Sequence, residues 1–115
     1  MCFCFFGNKH LQTKKIAKID FKKIVKIEDV TNSPLVLHGG SGISNAIRKK
    51  LARNYNVAKL NIGTELRMLF GYTVRKNILK NNKKYDRLEL LQPTIKEMKK
   101  LTKRIISNIG PSIDN

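Results

Sequence analysis

The chain has few cysteines and no tryptophan, which narrows the classes of protein it can belong to. Cys2 and Cys4 are its only cysteines, so a disulfide framework is not expected and a reducing cytoplasm is. The apolar run Cys2–Phe6 is much shorter than a membrane span or a signal sequence, and no basic residue precedes it. We therefore expect no membrane partner and no targeting segment.

Acidic residues are scarce as well. The sequence holds 8 Asp and Glu against 24 Lys and Arg, a formal net charge of +16. Such a surplus attracts anions and allows the hypothesis of a small basic nucleic-acid-binding protein. The basic residues, however, lie along nearly every segment, whereas a nucleic-acid site needs them on one face. Aromatic residues make up only 7% of the chain, too few for a base-stacking platform.

Apolar spacing predicts alternating strands and helices within one domain of 115 residues. Strands are predicted over Cys2–Phe6, Leu35–Leu37 and Val57–Leu60, and helices over Ile19–Ile27, from the N-cap Ser44 to Asn54, from Thr64 to about Asn82, and from Pro93, as the first helical residue, to a stop at Gly110. Alternation of this kind favours an α/β fold with a parallel sheet. Three strands are too few to close a barrel.

Two segments of small and polar residues each follow a predicted strand and precede a helix. The first is the glycine loop, Gly39–Gly42, and the second is the asparagine loop, Asn61–Thr64. Glycines let backbone N–H groups approach an anion, and a helix N-terminus favours negative charge. The pair therefore suggests a phosphate-binding cradle. The alternative is that these glycines serve only as turn residues between strand and helix.

The two histidines follow strands at the edge where parallel sheets keep their sites. His38 ends the strand Leu35–Leu37, and His10 comes shortly after the first strand. Together they could bind zinc, although a catalytic zinc takes about three protein ligands and the sequence offers no obvious third. Alternatively, each histidine is a hydrogen-bonded structural residue.

Three runs of sequence carry a family resemblance. They are PLVLHGGSGI (Pro34 to Ile43), AKLNIGTELRMLF (Ala58 to Phe70), and the segment Gly7 to Phe21. This last segment aligns without gaps with a Gly-x-x-His-Gly pattern leading to Lys-Leu-Asp-Phe, but Leu11 stands in place of the glycine after the histidine. The chain thereby resembles the C-terminal part of class II, metal-dependent ketose-bisphosphate aldolases. This resemblance implies that residues 1–115 are strands six to eight of an incomplete (β/α)₈, or TIM, barrel with their helices.

The resemblance also implies roles for individual residues. His10 and His38 correspond to two of three zinc-binding histidines, and Asn61 to the asparagine that contacts the enediolate of dihydroxyacetone phosphate. The positions that correspond to the holders of the ketose phosphate are Lys14, Gly39, Ser41, Gly63 and Thr64. The remaining histidine ligand and the aspartate that transfers the proton have no counterpart in this chain.

The implied reaction is the zinc-dependent, reversible aldol cleavage of fructose 1,6-bisphosphate to dihydroxyacetone phosphate and glyceraldehyde 3-phosphate. Tagatose bisphosphate is the alternative substrate within the family. Because three strands alone would leave unpaired edges and an uncovered apolar face, we expect the chain to need a complementary N-terminal chain or to form a homo-oligomer. An inactive gene remnant and the nucleic-acid-binding protein remain the competing hypotheses.

Overall fold

A computed structural model describes the backbone of residues 2–4 and all atoms of residues 13–110. Its elements in chain order are β1 (Cys2–Cys4), α1 (Phe21–Val30), β2 (Leu35–Leu37), a 3-10 turn (Gly40–Gly42), α2 (Asn45–Asn54), β3 (Val57–Leu60), α3 (Thr64–Lys80) and α4 (Arg87–Ile109). This order confirms the expected alternation of strands and helices and the α/β class. The last two residues of the first predicted strand, Phe5 and Phe6, lie outside the described residues.

The three strands form one parallel sheet in the order β1-β2-β3. β1 pairs in register with β2, Cys2 opposite Leu35 and Cys4 opposite Leu37. The pairing of β2 with β3 shifts by one residue after Leu35. Since all three strands run the same way, their carboxyl ends share one edge of the sheet, and both loops singled out in the sequence begin there.

The core lies between one face of this sheet and helices α1 and α2. Its buried side chains come from α1, β2, the segment after the 3-10 turn, α2 and β3: Ile24, Leu35, Leu37, Ile43, Leu51 and Val57. The Asp20 carboxylate caps α1 by accepting from the Lys23 N–H at 3.0 Å. The Ser44 hydroxyl caps α2 in the same way, accepting from Ile47 N–H, as predicted.

The last helix differs from the sequence prediction at its start. It begins at Arg87, capped by the Asp86 side chain, so Pro93 lies in the helix interior and not at the first position. A proline there removes the N–H that would bond to the Glu89 carbonyl. The Asn77 side chain on α3 supplies a substitute, its Nδ2 lying 3.3 Å from Glu89 O and 2.7 Å from Leu90 O. A tertiary contact, invisible in local sequence, therefore allows the helix to continue through Pro93.

Helix α4 packs against α3 along its length and against α2. It ends at Ile109, and Gly110 follows as the predicted stop, with the Gly110 N–H donating to Ile106 O. Among the described residues, none of the helices is both long enough and apolar enough to cross a membrane.

Candidate active site

His38 and Asn61 lie side by side at the carboxyl ends of β2 and β3. The Asn61 N–H donates to Leu37 O at 2.9 Å and so extends the strand pairing by one residue. The side-chain nitrogen Nδ2 of Asn61 is 3.2 Å from Nδ1 of His38, within hydrogen-bonding distance. Both side chains are partly buried. The sheet therefore brings together an imidazole and a carboxamide that are 23 residues apart in sequence.

The glycine loop needs glycine at two positions for different reasons. Gly39 has a φ of 68°, in the left-handed region that disfavours other residues. Gly40 has an ordinary φ, but a Cβ placed there would lie 2.9 Å from both Asn61 O and Ile62 Cγ1. The Gly40 N–H donates to Asn61 O at 2.9 Å. Gly40 therefore allows the glycine loop and the asparagine loop to approach each other closely.

Ser41 joins the glycine loop to helix α3. Its side chain is almost fully buried, and its hydroxyl accepts from the Glu65 N–H at 3.1 Å. Gly63, at the N-cap position of α3, has no side chain with which to do this. Ser41 thus acts as a cap supplied from the neighbouring loop. In the same loop the Gly40 N–H donates to Asn61 O and the Gly42 N–H donates to Gly39 O.

A buried arginine beneath the loops was missed by the sequence reasoning. Arg48 lies on α2 and is only 1% exposed. Its Nε donates to Gly40 O at 3.0 Å, and its Nη2 donates to Glu65 Oε2 at 2.5 Å. The helical spacing of Arg48 from Ser44 and Leu51, both on the inner side, is the signal that could have placed it inward.

Glu65 is the acidic partner of this arginine and of Lys15. Lys15 Nζ lies 3.1 Å from Glu65 Oε1, and it also donates to Asn45 Oδ1 at 2.9 Å. Burial alone would raise the pKa of Glu65. The hydrogen bonds and charges of Arg48 and Lys15 outweigh that effect and hold the pKa below its ordinary value. The carboxylate is therefore ionised at neutral pH.

Of the remaining site candidates, Lys14, Gly63 and Thr64 are described and His10 is not. Lys14 is exposed. The segment that carries it is fixed beside the glycine loop, since the Ala17 N–H donates to Gly42 O at 2.9 Å. Gly63 and Thr64 lie at the N-terminal end of α3, where helix geometry leaves N–H groups without intrahelical acceptors. His10 lies outside the described residues.

One candidate metal ligand, His38, lies among the described residues. His38 is a partly buried imidazole at a strand terminus, and a neutral imidazole is a common metal ligand. Within residues 13–110, however, no three His, Cys, Asp or Glu side chains come together as a ligand set. This portion of the chain alone does not provide the three ligands of a catalytic zinc.

Comparison with known families decides where the chain belongs. The family model described as fructose-bisphosphate aldolase class-II matches residues 4–112, nearly the whole chain. The chain belongs to this aldolase family. The class II aldolase match includes both loops, His10 and His38, and the segment that carries Lys14.

Individual relatives agree with the family model. The chain is 42% identical to the fructose-bisphosphate aldolase of Mycoplasma genitalium over 76% of its length, which is 33% of that protein. It is 36% identical to the one from Staphylococcus epidermidis, with 92% of this chain and 37% of the relative covered. Among solved structures, the YdjI aldolase from Escherichia coli K12 matches at a TM-score of 0.73 and 29% identity.

The solved aldolase covers 94% of this chain, but the chain covers 38% of it. The chain thus spans about a third of the length of the aldolases it matches.

Proposed function

We propose that this chain forms the phosphate-binding sector, and part of the metal-binding sector, of a class II aldolase site that cleaves fructose 1,6-bisphosphate reversibly. In this proposal β1, β2 and β3 are strands six to eight of a (β/α)₈ barrel. The observation that carries it is the close approach of the two loops, made by Gly40 N–H to Asn61 O and by Glu65 N–H to Ser41 Oγ. A cradle for one phosphate needs both loops at this spacing.

Each loop has a separate task toward the phosphate. Gly39 and Ser41 bring the backbone of the glycine loop to the anion, and the left-handed conformation of Gly39 turns the chain there. Gly63 and Thr64 add the N–H groups and the dipole of α3. Lys14, exposed on the adjoining segment, contributes a mobile positive charge that reaches a phosphate oxygen when substrate enters.

The site also has a metal-binding side. His38 and His10 are proposed as zinc ligands, with a third ligand supplied by protein outside this chain. When bound, zinc provides a Lewis acid beside the ketone oxygen. The carboxamide of Asn61, next to His38, is placed to hydrogen-bond the enediolate of dihydroxyacetone phosphate. The proton-transfer aspartate is likewise supplied from outside the chain.

The partner in this proposal is a complementary N-terminal chain or a second copy. Among the described residues, β1 and β3 each pair with one neighbour only, and a barrel has no free edges. We expect aldolase turnover only when strands one to five are provided. The proposal includes a cytoplasmic location and a role in glycolysis. Fructose 1,6-bisphosphate is the proposed substrate, and tagatose bisphosphate is the alternative.

Phosphate binding is the first test. Titration of the full chain with inorganic phosphate, followed by amide chemical shifts, should perturb Gly39, Ser41, Gly63 and Thr64. Lys14→Ala should weaken the affinity about twofold to fivefold, the size of one exposed charge–charge contact, while Lys22→Ala on exposed α1 should not. Equal weakening by both variants, with steep salt dependence, would favour the nucleic-acid-binding alternative instead.

Zinc binding tests the other half. Competition with a chelator at neutral pH should show weak zinc binding that His38→Ala and His10→Ala each abolish. Asn54→Ala, a substitution at the exposed C-terminal end of α2, serves as the control. A His38→Ala variant that binds zinc as well as the parent chain would refute the ligand assignment.

A further inference from the structure

We infer that Arg48 and Glu65 are positioning residues that clamp the glycine loop to helix α3 and so set the spacing of the phosphate cradle. The clamp comprises Lys15, Asn45, Arg48 and Glu65. The inference deepens the proposed function, on which it rests. It assigns a task to two side chains that do not themselves touch the phosphate.

Arg48 is the part of the clamp that contacts both the glycine loop and helix α3. It extends from α2, and its buried guanidinium donates to the Gly40 carbonyl from Nε and to the Glu65 carboxylate from Nη2. A guanidinium holds its donors in a rigid planar fork, so the two acceptors are fixed relative to each other. One acceptor belongs to the glycine loop, and the other to the first turn of α3.

Glu65 closes the connection from the other side. Its carboxylate meets Arg48 and Lys15, and its own N–H donates to Ser41 Oγ. Asn45 Oδ1 accepts from Lys15 Nζ at 2.9 Å and lies 3.5 Å from Arg48 Nη1. The four side chains form a closed ring beneath the loops, and this ring also holds the segment that carries Lys14.

The charges of the clamp make the inference testable, because removal of the Glu65 charge changes phosphate affinity in opposite directions under the two explanations. Two cations and one carboxylate leave a net charge of +1 next to the cradle. If Glu65 acted only through its charge, removing that charge would strengthen phosphate binding. If Glu65 positions the loops, the same change weakens binding. Arg48→Lys adds a second criterion, because it keeps the charge and loses the fork.

The experiment compares E65Q and R48K of the full chain with matched controls, using inorganic phosphate as the probe. Glu89→Gln removes a carboxylate from an exposed pair with Lys84, and Arg53→Lys makes the same exchange at an exposed position of α2. We expect E65Q and R48K to weaken binding about tenfold, as for the loss of one charged hydrogen bond. Both controls should remain within about twofold of the parent, as for exposed charges.

Amide hydrogen exchange tests the clamp in the absence of ligand. In E65Q and R48K the N–H groups of Gly40, Gly42 and Glu65 should exchange faster together, while the Thr31 N–H, bonded to Ile27 O in α1, keeps its parental rate. Faster exchange at Thr31 as well would indicate global destabilisation and overturn a local positioning role. Parental rates at the loops, or tighter phosphate binding by E65Q, would also overturn it.

The two readouts separate the clamp from the site it serves. A parent chain that binds no phosphate, with loop exchange still accelerated in both variants, would refute the phosphate site and leave the clamp standing. Phosphate binding by the parent chain, with the same affinity and exchange rates in both variants, would support the phosphate site and refute the clamp.

Discussion

The loop junction, where Ser41, Arg48 and Glu65 connect the glycine loop to α3, differs from the α3/α4 hairpin in how its contacts are made. At the junction, Ser41 and Arg48 are buried, and both are hydrogen-bonded to the neighbouring loop or helix. In the hairpin, α3 buries no residue fully and α4 buries only Thr94 and Leu101 among the described residues. Large apolar side chains stay exposed there, among them Tyr72, Leu79, Tyr85, Leu88 and Ile95.

This difference indicates that specific hydrogen bonds fix the geometry of the loop junction more tightly than helix packing fixes the geometry of the hairpin. The junction is fixed by directional bonds between segments far apart in sequence, so small changes in it should have large effects. The hairpin is held by the packing of two helices whose apolar side chains remain largely accessible. Equivalent substitutions in the two regions should therefore differ in size and, in one case, in sign.

Removing a charge should separate the two regions most clearly. Arg48→Met leaves Glu65 without its closest cation and should lower the free energy of unfolding by about 3 kcal/mol. Lys84→Met in the hairpin breaks an ion pair whose side chains are 51% and 53% exposed, and should change stability by about 0.5 kcal/mol or less. Urea unfolding followed by circular dichroism measures both. Equal losses would mean that burial of Arg48 does not govern its contribution.

A glycine-to-alanine pair should give effects of opposite sign. Gly40→Ala places a Cβ 2.9 Å from Asn61 O and Ile62 Cγ1 and should destabilise by about 2 kcal/mol, since the loops must separate. At Gly71, inside α3, a Cβ meets only the end of the Arg75 side chain at 3.5 Å. Gly71→Ala should stabilise by up to about 1 kcal/mol, because alanine favours the helix. Two alanine variants of the same sign would contradict the contrast.

Local sequence was sufficient for those elements whose signals are local. The strands β2 and β3 and the helix α2 were predicted at their observed bounds, because apolar runs and the Ser44 cap act within a few residues. Juxtaposition of His38 and Asn61 was also foreseeable, since both follow parallel strands. Helix α3 ends at Lys80, two residues before the predicted end near Asn82, a difference at the level where helix ends fray.

Features that depend on distant partners were not predictable in the same way. Pro93 was expected to start a helix because its local preference is for the first turn, yet Asn77 on another helix supplies the donor that lets α4 begin at Arg87. Most arginines are exposed, whereas Arg48 is buried. Its inward placement depends on Glu65, 17 residues further along the chain. The phosphate and zinc roles of individual residues stay predictions.

The Asn77 contact offers a smaller test within the hairpin. Asn77→Ala removes the donor to Glu89 O and Leu90 O and should cost about 1 kcal/mol. In a Pro93→Ala background the restored backbone N–H can bond to Glu89 O, so the same Asn77→Ala change should then have less effect. A double-mutant cycle by urea unfolding measures the coupling. Additive effects would show that Asn77 does not substitute for the missing N–H.

The pH dependence of the junction is the most subtle expected effect. The pKa of Glu65 in the folded chain is held below its ordinary value of 4.5, because Arg48 and Lys15 outweigh the effect of burial. A group whose pKa is lower in the folded than in the unfolded state contributes stability above its unfolded pKa and loses that contribution as pH falls through its folded pKa. The stability difference between the parent and Glu65→Gln should therefore be largest near neutrality.

That difference should shrink as pH falls below about 4.5, the unfolded-state value. Other carboxylates titrate over the same range, so the quantity to follow is the parent-minus-variant free energy of unfolding from pH 7 to pH 3. A Glu65 difference that stayed constant with pH would mean that the buried pair is coupled to the loops by shape and not by charge.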